Sequence, residues 1–175
     1  MKQLSFLHHD SRSEQDTPEI KKAVSFWKLF IDGASRNNPG PSGAGIVLFK
    51  DGKPCIKKGY YLNTKTNNQA EYLALLIGMY YVQQSGVEAQ EPLAIYSDSQ
   101  LMISQLSGVY QVKNSALKKY YNAALALLRT YNYTLHHVLR HNNTDADELA
   151  NSGIDKRVVV PEACRAMIQS YDIEW

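Results

Sequence analysis

The stretch Phe30-Ile31-Asp32-Gly33-Ala34-Ser35-Arg36-Asn37-Asn38-Pro39-Gly40-Pro41-Ser42-Gly43-Ala44-Gly45 decides the fold of this 175-residue chain. An apolar strand, 27–31, is predicted before Asp32, and a second apolar strand, 45–49, is predicted after the turn. The intervening Gly, Asn and Pro residues favour a hairpin. An ionised carboxylate at the edge of a buried strand costs free energy unless it is paired or holds a cation. The stretch therefore predicts antiparallel strands with an acidic site beside them.

The composition is that of an ordinary globular domain, with 44% hydrophobic and 21% charged residues. No segment approaches the ~18 consecutive apolar residues of a membrane span, and the N-terminus does not resemble a secretory signal. Cys55 and Cys164 have no CxxC partner, which predicts free thiols in a reducing compartment. We therefore expect a cytoplasmic protein with no membrane partner, and we expect it to be a monomer. The net charge of +2 does not by itself argue for nucleic acid.

Two parts of the chain are distinguished by composition. Residues 1–24 are mostly polar, and we expect a flexible N-terminal extension in which Leu4, Phe6 and Leu7 are the few apolar anchors. Residues 25–175 are expected to form one domain, including a C-terminal helix that starts after Pro161.

The order of predicted elements indicates a mixed sheet. Further strands are predicted at 55–63, 93–96 and 133–139, and helices at 70–84, from 101 to the break at Gly108, at 115–130 and around 147–151. Short turns join the first three strands into an antiparallel meander, whereas a strand that returns through a helix implies parallel neighbours. We therefore predict an α/β fold with a mixed five-stranded sheet flanked by helices. Ligands of such sheets usually lie beyond the strand ends.

Four carboxylates stand at element boundaries: Asp32, Glu71, Asp98 and Asp147. Each has an ordinary structural explanation. Asp32 suits a turn, and Asp98 suits a helix N-cap for which Ser99 competes. Asn68 and Glu71 suit a capping box at the start of a helix. Asp147 suits the positive end of a helix dipole, with Asp145 as the better N-cap because Glu148 follows three residues later.

Considered together, the four carboxylates favour a different interpretation. If the strands that lead to Asp32 and Asp98 are parallel neighbours, these two carboxylates lie side by side, and flanking helices bring in Glu71 and Asp147. Like charges so close together require cations. Oxygen ligands without Cys or His at coordinating spacing suit Mg²⁺ or Mn²⁺ rather than zinc. Two such ions about 3.5–4 Å apart are able to hydrolyse a phosphodiester.

Four motifs carry a family resemblance that covers roughly residues 26–155. They are Asp32-Gly33…Asn38-Pro39-Gly40, Thr66-Asn67-Asn68-Gln69-Ala70-Glu71, Tyr96-Ser97-Asp98-Ser99-Gln100 and Asp147-Glu148-Leu149-Ala150-Asn151. In order and spacing the set resembles the type I ribonuclease H family. The resemblance implies the ribonuclease H-like fold and endonucleolytic cleavage of the RNA strand of RNA–DNA hybrids, which leaves a 5′-phosphate and a 3′-hydroxyl.

The resemblance also implies roles for individual residues. The metal-binding, catalytic carboxylates would be Asp32, Glu71, Asp98 and Asp147. Contacts to the minor groove and 2′-hydroxyls of the hybrid would come from Asn38, Asn67, Asn68 and Gln100, and a contact to a DNA phosphate from Thr66. Neutral amides suit this task because they both donate to and accept from a 2′-hydroxyl.

Two residues near the last carboxylate carry further expectations. Many family members have a loop histidine before the final Asp, and His141 is the candidate here, although the loop is short. Asn143 is an alternative candidate that would border a metal. A long basic protrusion of some relatives is missing from the sequence, and Lys113, Lys118 and Lys119 are either phosphate contacts or a solvated helix face. Two other functions stay open, namely a non-catalytic nucleic-acid-binding module and a DNA-directed nuclease.

Overall fold

The computed structural model describes residues 24–175, so residues 1–23 of the expected N-terminal extension lie outside the described part of the chain. Within it, five strands and five α-helices follow one another as β1 Trp27–Ser35, β2 Gly40–Lys50, β3 Lys53–Lys65, α1 Asn67–Gln84, β4 Pro92–Ser97, α2 Gln100–Leu106, α3 Ser115–Leu128, β5 Asn132–His137, α4 Thr144–Lys156 and α5 Glu162–Gln169. A short 3-10 turn, Arg140–Asn142, precedes α4.

The sheet has the order β3-β2-β1-β4-β5. Strands β1, β2 and β3 form an antiparallel meander, and β4 and β5 run parallel to β1. This arrangement confirms the predicted mixed five-stranded sheet. Because β1 is the central strand and β4 its parallel neighbour, the carboxyl ends of these two strands lie at the same edge of the sheet.

One face of the sheet carries most of the hydrophobic core. Leu29 and Ile31 of β1 are fully buried on this face, where α1 covers them. Gly78 lets α1 approach closely, because a Cβ at this position would lie 3.0 Å from a methyl group of Leu29 and 3.1 Å from one of Ile31. Helix α3 packs on α1, and α5 adds Cys164 and Ile168 to the same core.

On the other face, α4 lies directly against the strands through a contact made by glycines. A Cβ on Gly45 would lie 1.8 Å from the carbonyl oxygen of Ala146, and a Cβ on Gly59 would lie 2.0 Å from that of Leu149. A Cβ on Gly43 would lie 2.2 Å from the carbonyl oxygen of the α4 residue Ala150. We call Gly43, Gly45 and Gly59 the glycine contact. Since any side chain here would displace the backbone of α4, the glycine contact fixes where α4 and its Asp147 lie.

Four of the five strands are longer than predicted. Strand β1 continues to Ser35, so Asp32 lies inside the ladder and pairs with Gly45 rather than following the strand. The ladder extends because Ser35 still pairs with Ser42, which confines the turn to four residues, 36–39. At the other edge the predicted fifth strand is too long, because β5 ends at His137 and Leu139 is 61% exposed.

The start of α1 differs from the predicted capping box. The helix begins at Asn67 and not at residue 70, and Thr66 is its N-cap. The Thr66 hydroxyl accepts from the backbone N–H of Gln69 at 3.3 Å, and the Gln69 side chain accepts from the Thr66 N–H at 2.9 Å. The prediction that Asn68 and Glu71 form the box was wrong. The box therefore leaves Glu71 free for another contact.

The structure also identifies the N-caps of α2 and α4. Ser99, and not Asp98, caps α2 by accepting from Met102. Helix α4 begins at Thr144 with Asn143 as its N-cap, so the prediction of Asp145 as the cap was wrong. Asp145 instead pairs with Lys57 of β3 at 2.7 Å, which fastens the start of α4 to the sheet.

Two predictions from composition concern the cysteines and membrane-spanning helices within residues 24–175. Both cysteines are free thiols there, with Cys55 exposed and Cys164 buried. None of the helices in this range has the length and apolar character that crossing a membrane demands.

Candidate active site

Three of the four predicted carboxylates meet at the carboxyl ends of the central strands. Phe30 of β1 pairs with Tyr96 of β4, so Asp32 and Asp98, each two residues further on, lie beside one another. Asp32, Glu71 and Asp98 each offer an oxygen within 4.8 Å of the others. We call these three residues the carboxylate cluster.

Glu71 reaches the cluster because α1 touches β1 closely. A Cβ on Gly33 would lie 2.2 Å from the backbone nitrogen of Glu71, so β1 and α1 meet there without an intervening side chain. The backbone N–H of Gly33 donates to Oε2 of Glu71 at 3.2 Å. Glu71 is therefore buried and directed at the strand next to Asp32, rather than folded back onto its own helix.

The electrostatics of the cluster are unfavourable without a cation. Burial, the neighbouring Asp98 and then Asp147 raise the pKa of Asp32 from its ordinary value of 3.8 to about 7, against an opposing effect of Arg140. Burial followed by the charges of Asp32 and Asp98 raises the pKa of Glu71 well above its ordinary value. A bound cation would remove the repulsion that both shifts reflect. The donor set of three carboxylates therefore fits a hard divalent cation.

Asp147 approaches the cluster from α4 without belonging to its innermost group. Its charge still contributes to the raised pKa of Asp32. An Oδ1 of Asp147 pairs with the guanidinium of Arg140, whose side chain is 75% exposed. Asn151, one turn along α4, donates to the backbone oxygen of Asp147 at 2.9 Å. Asp147 thus borders the cluster as a partly exposed carboxylate that is paired with an exposed guanidinium.

Arg140 is a site residue that the sequence reasoning did not identify. It lines the same cleft as the cluster, and its charge lowers the pKa values of Asp32 and Glu71. The available signal was a basic residue in the loop just ahead of the fourth acidic motif. Loop position alone gives no direction for a long side chain, so this signal could not be read without the structure.

Asn143 lies behind the cluster. Its side chain is buried, and its Nδ2 donates to the backbone oxygen of Ile31 at 2.9 Å and to Oδ1 of Asp98 at 3.1 Å. Asn143 was predicted to border a metal, and it does contact a carboxylate of the cluster, but through its nitrogen. Its oxygen is buried and has no hydrogen-bond partner within residues 24–175.

Several predicted substrate contacts share a cleft of about 470 Å³ with the carboxylates. Its lining includes Asp32, Glu71, Asp98, Asp147, Asn67, Asn68 and Gln100. Asn38 lies next to this group, because its Oδ1 accepts from the backbone N–H of Asn67 at 2.8 Å. The Thr66 hydroxyl oxygen is used in capping α1, which leaves its proton free to donate.

None of the three histidines within residues 24–175 belongs to the cluster. His141 is exposed on the 3-10 turn and lines a neighbouring depression together with Arg140 and Asp147. His136 stacks on Tyr96 and bonds to the Thr134 hydroxyl at 2.8 Å, which is a structural role. His141 is therefore positioned beside the cleft, and its predicted catalytic role stays a prediction.

Comparisons with known proteins agree with the fold and the motifs. The family model described as "Reverse transcriptase-like" matches residues 30–153. A curated protein from Halobacterium salinarum, "Ribonuclease HI", is 37% identical over 128 residues, which cover 72% of this chain and 63% of that protein. Several mycobacterial relatives are also 37% identical, and only 34% of their length is covered. The chain thus spans about a third to two thirds of the first curated relatives.

Solved structures give the same result. The crystal structure of RNase H1 from Halobacterium salinarum has a TM-score of 0.70 and 35% identity, covering 74% of this chain and 98% of that one. The structure of LC11-RNase H1 in complex with an RNA/DNA hybrid has a TM-score of 0.71 and 32% identity, covering 74% of this chain and 97% of that one. With the family model spanning most of residues 24–175 and all four acidic motifs present, the chain belongs to the type I ribonuclease H family.

Proposed function

We propose that the chain is a divalent-metal-dependent endoribonuclease that cleaves the RNA strand of RNA–DNA hybrids and leaves 5′-phosphate and 3′-hydroxyl ends. The observation that carries this proposal is the carboxylate cluster. Two buried carboxylates, Asp32 and Glu71, and the half-buried carboxylate of Asp98 have converging oxygens, and such a group destabilises a fold unless it binds something positive. Their position at the carboxyl ends of parallel strands is where ligands of such sheets bind.

The cluster would hold Mg²⁺, for which Mn²⁺ is able to substitute. Asp32, Glu71 and Asp98 would be the ligands, and Asp147 would complete the site from α4. A pair of such ions, when bound, supplies an activated water and stabilises the leaving oxygen of a phosphodiester. The contribution of the chain itself is to hold four acidic groups in place against their mutual repulsion.

Substrate choice would come from the amides that line the cleft. Asn67, Asn68 and Gln100 lie beside the carboxylates, and Asn38 supports the backbone of Asn67. Amides both donate and accept, so they recognise a 2′-hydroxyl that DNA lacks. The related LC11-RNase H1 has been solved with an RNA/DNA hybrid, which supports the same substrate class here. The proposal includes a role for Thr66 at a DNA phosphate.

We extend the proposal to the setting of the enzyme. Free thiols at both cysteines are in keeping with a cytoplasmic protein. The burial of the core within a single sheet and its helices is in keeping with a monomer. A gel-filtration measurement with light scattering that gives twice the mass of the 19.8 kDa chain would contradict the monomer.

The test is a cleavage assay with Mg²⁺ on three substrates of one sequence, namely the hybrid, duplex DNA and duplex RNA. We expect cleavage of the hybrid in its RNA strand. Asp98→Asn should lower the rate by about a thousandfold or more, because several kcal/mol of charge stabilisation are lost. Asp145→Asn is the matched control, because this acidic residue pairs with Lys57 away from the cleft. Its rate should stay within about twofold of the wild type.

The other outcomes separate the alternative functions. Binding of the hybrid without cleavage of any substrate would identify a non-catalytic nucleic-acid-binding module. Preferential cleavage of duplex DNA would identify a DNA-directed nuclease. Equal loss of activity in Asp98→Asn and Asp145→Asn would show that the cluster has no special role.

A further inference from the structure

Asn143 makes a contact that neither the family motifs nor the proposed chemistry requires. We propose that Asn143 is a positioning residue that orients the carboxylate of Asp98 for cation binding. The inference rests on the proposed function, since it assumes that the carboxylate cluster binds a divalent cation. It differs from the expectation that Asn143 is itself a ligand.

The orientation of the Asn143 amide follows from its neighbours. Its nitrogen lies 2.9 Å from the backbone oxygen of Ile31 and 3.1 Å from Oδ1 of Asp98, and both of these atoms are acceptors. An amide turned the other way would place its own oxygen against two acceptors, which gains no hydrogen bond. Asn143 therefore faces the cluster with its two protons. Because its nitrogen and not its oxygen contacts Asp98, the amide acts on this carboxylate as a hydrogen-bond donor.

The side chain gives up local stability to make this contact. Asn143 is the N-cap of α4, and asparagine at this position usually caps its helix with the side-chain oxygen. Here no side-chain cap bond forms, and the buried Oδ1 has no hydrogen-bond partner within residues 24–175. A buried polar atom without a partner is unfavourable. The amide is therefore placed for Asp98 and Ile31 rather than for helix stability.

The contact joins three of the four segments that carry the acidic residues. Ile31 immediately precedes Asp32 in β1, Asp98 follows β4, and Asn143 stands one helical turn before Asp147. By holding Oδ1 of Asp98, the amide leaves Oδ2 of that carboxylate for a cation. A side chain that is itself only 2% exposed is well suited to fix this geometry.

The test compares Mn²⁺ binding by Asn143→Ser and wild-type protein, measured by calorimetry without substrate. Serine is too short to reach Asp98, but it is a good N-cap, so α4 should gain a cap while the site loses its support. Loss of an outer-shell partner of this kind typically weakens metal binding 10–100-fold. Asn142→Ser is the matched control, because Asn142 is exposed on the preceding turn, and its affinity should stay within about twofold.

Steady-state kinetics distinguish weaker metal binding from a general loss of structure. In Asn143→Ser, the Mg²⁺ concentration for half-maximal activity should rise about 10–100-fold, whereas KM for the hybrid at saturating Mg²⁺ should change less than about twofold. A rise in KM alone would assign Asn143 to substrate binding and overturn the inference.

A measurement on the wild-type protein covers the case in which the variant does not fold. The side-chain amide protons of Asn143, followed by ¹⁵N–¹H NMR, should be protected from exchange with and without saturating Mg²⁺. Loss of this protection on adding Mg²⁺ would mean that the amide leaves Asp98, and it would overturn the inference. If wild-type protein binds no Mn²⁺, the proposed function itself fails; if wild-type and Asn143→Ser bind equally, only the role of Asn143 fails.

Discussion

The glycine contact and the carboxylate cluster act in opposite directions on α4. The glycine contact packs α4 closely against the sheet, whereas the charge of Asp32 in the cluster repels Asp147, which α4 carries. In the glycine contact, backbones approach so closely that a single methyl group on Gly45 would lie 1.8 Å from a carbonyl oxygen. In the cluster, like charges repel and raise the pKa of Asp32 to about 7. The comparison teaches that the attractive packing of α4 holds a repulsive site together. The candidate site therefore lies where like charges make the fold electrostatically least favourable.

The largest expected effect comes from filling the glycine contact. Gly45→Ala places a methyl group against the backbone of Ala146, which is unable to rotate away as a flexible side chain would. We expect a loss of more than about 3 kcal/mol in the free energy of unfolding, because α4 must move or the sheet must distort. Hybrid cleavage should fall with it, since α4 carries Asp147. Urea denaturation and the cleavage assay measure the two effects.

Gly86→Ala is the matched control for this substitution. Gly86 has a φ of +69°, and within residues 24–175 no atom lies within 4 Å of the position of its Cβ. Alanine there meets backbone strain alone, at a cost of about 1 kcal/mol. Equal losses in the two variants would contradict a role for close packing at Gly45, since Gly45, unlike Gly86, does not have a positive φ.

The next-largest change in stability is expected from a substitution that relieves the repulsion in the cluster. Asp32→Asn should stabilise the metal-free protein at pH 8 by on the order of 2–4 kcal/mol, because it removes a buried carboxylate that burial, Asp98 and Asp147 make difficult to ionise. The same variant should lose cleavage activity. Thermal unfolding in a chelator, at pH 4 and pH 8, measures the stability difference.

The sign of the pH dependence follows from the two pKa values. Well below the unfolded value of 3.8 the carboxyl is protonated in both states, so Asp32 costs nothing and the variant gains nothing. Between 3.8 and about 7 the unfolded chain loses this proton first, and wild-type stability falls as the pH rises. Above about 7 the penalty is complete. Saturating Mg²⁺ should abolish or reverse the advantage of Asp32→Asn, since it stabilises the wild type.

The sequence predicted the sheet and the convergence of its acidic residues because both depend on local signals. Apolar runs separated by turn residues are enough to give the meander, and carboxylates at the ends of parallel neighbours must approach one another. Strand ends were less predictable. Asp32 lies inside β1 because the ladder continues to Ser35, and this continuation depends on its pairing with Ser42 in β2.

Side-chain direction was the part that the sequence could not supply. Thr66 and Asn68 are both competent N-caps two residues apart, and the choice falls on Thr66 while Glu71 turns to the N–H of Gly33 in a distant strand. Arg140 and Asn143 stand in one polar loop, yet one is exposed and the other buried. How each of them reaches the cluster depends on how the 3-10 turn enters α4, and no local pattern encodes that.

The smallest expected effect comes from removing the guanidinium of Arg140, which lines the same cleft as the cluster. Arg140→Ala removes the partner of Asp147 and the charge that lowers the pKa of Asp32. Because the Arg140 side chain is 75% exposed, solvent screens this interaction, and we expect a loss of only about 0.5 kcal/mol in metal-free protein at pH 8. This sign is opposite to that of Asp32→Asn, since one variant removes a repelled charge and the other removes its counter-charge.

Arg36→Ala is the matched control for Arg140→Ala, because Arg36 pairs with Asp155 at 2.7 Å on the surface, with both side chains about half exposed. It should leave the melting temperature unchanged at any salt concentration. The loss in Arg140→Ala should shrink as salt is raised to about 0.5 M, since screening weakens its attraction to the cluster. A loss equal to that of Arg36→Ala at low salt would mean that Arg140 does nothing to offset the repulsion, and that the packing of α4 opposes it without help.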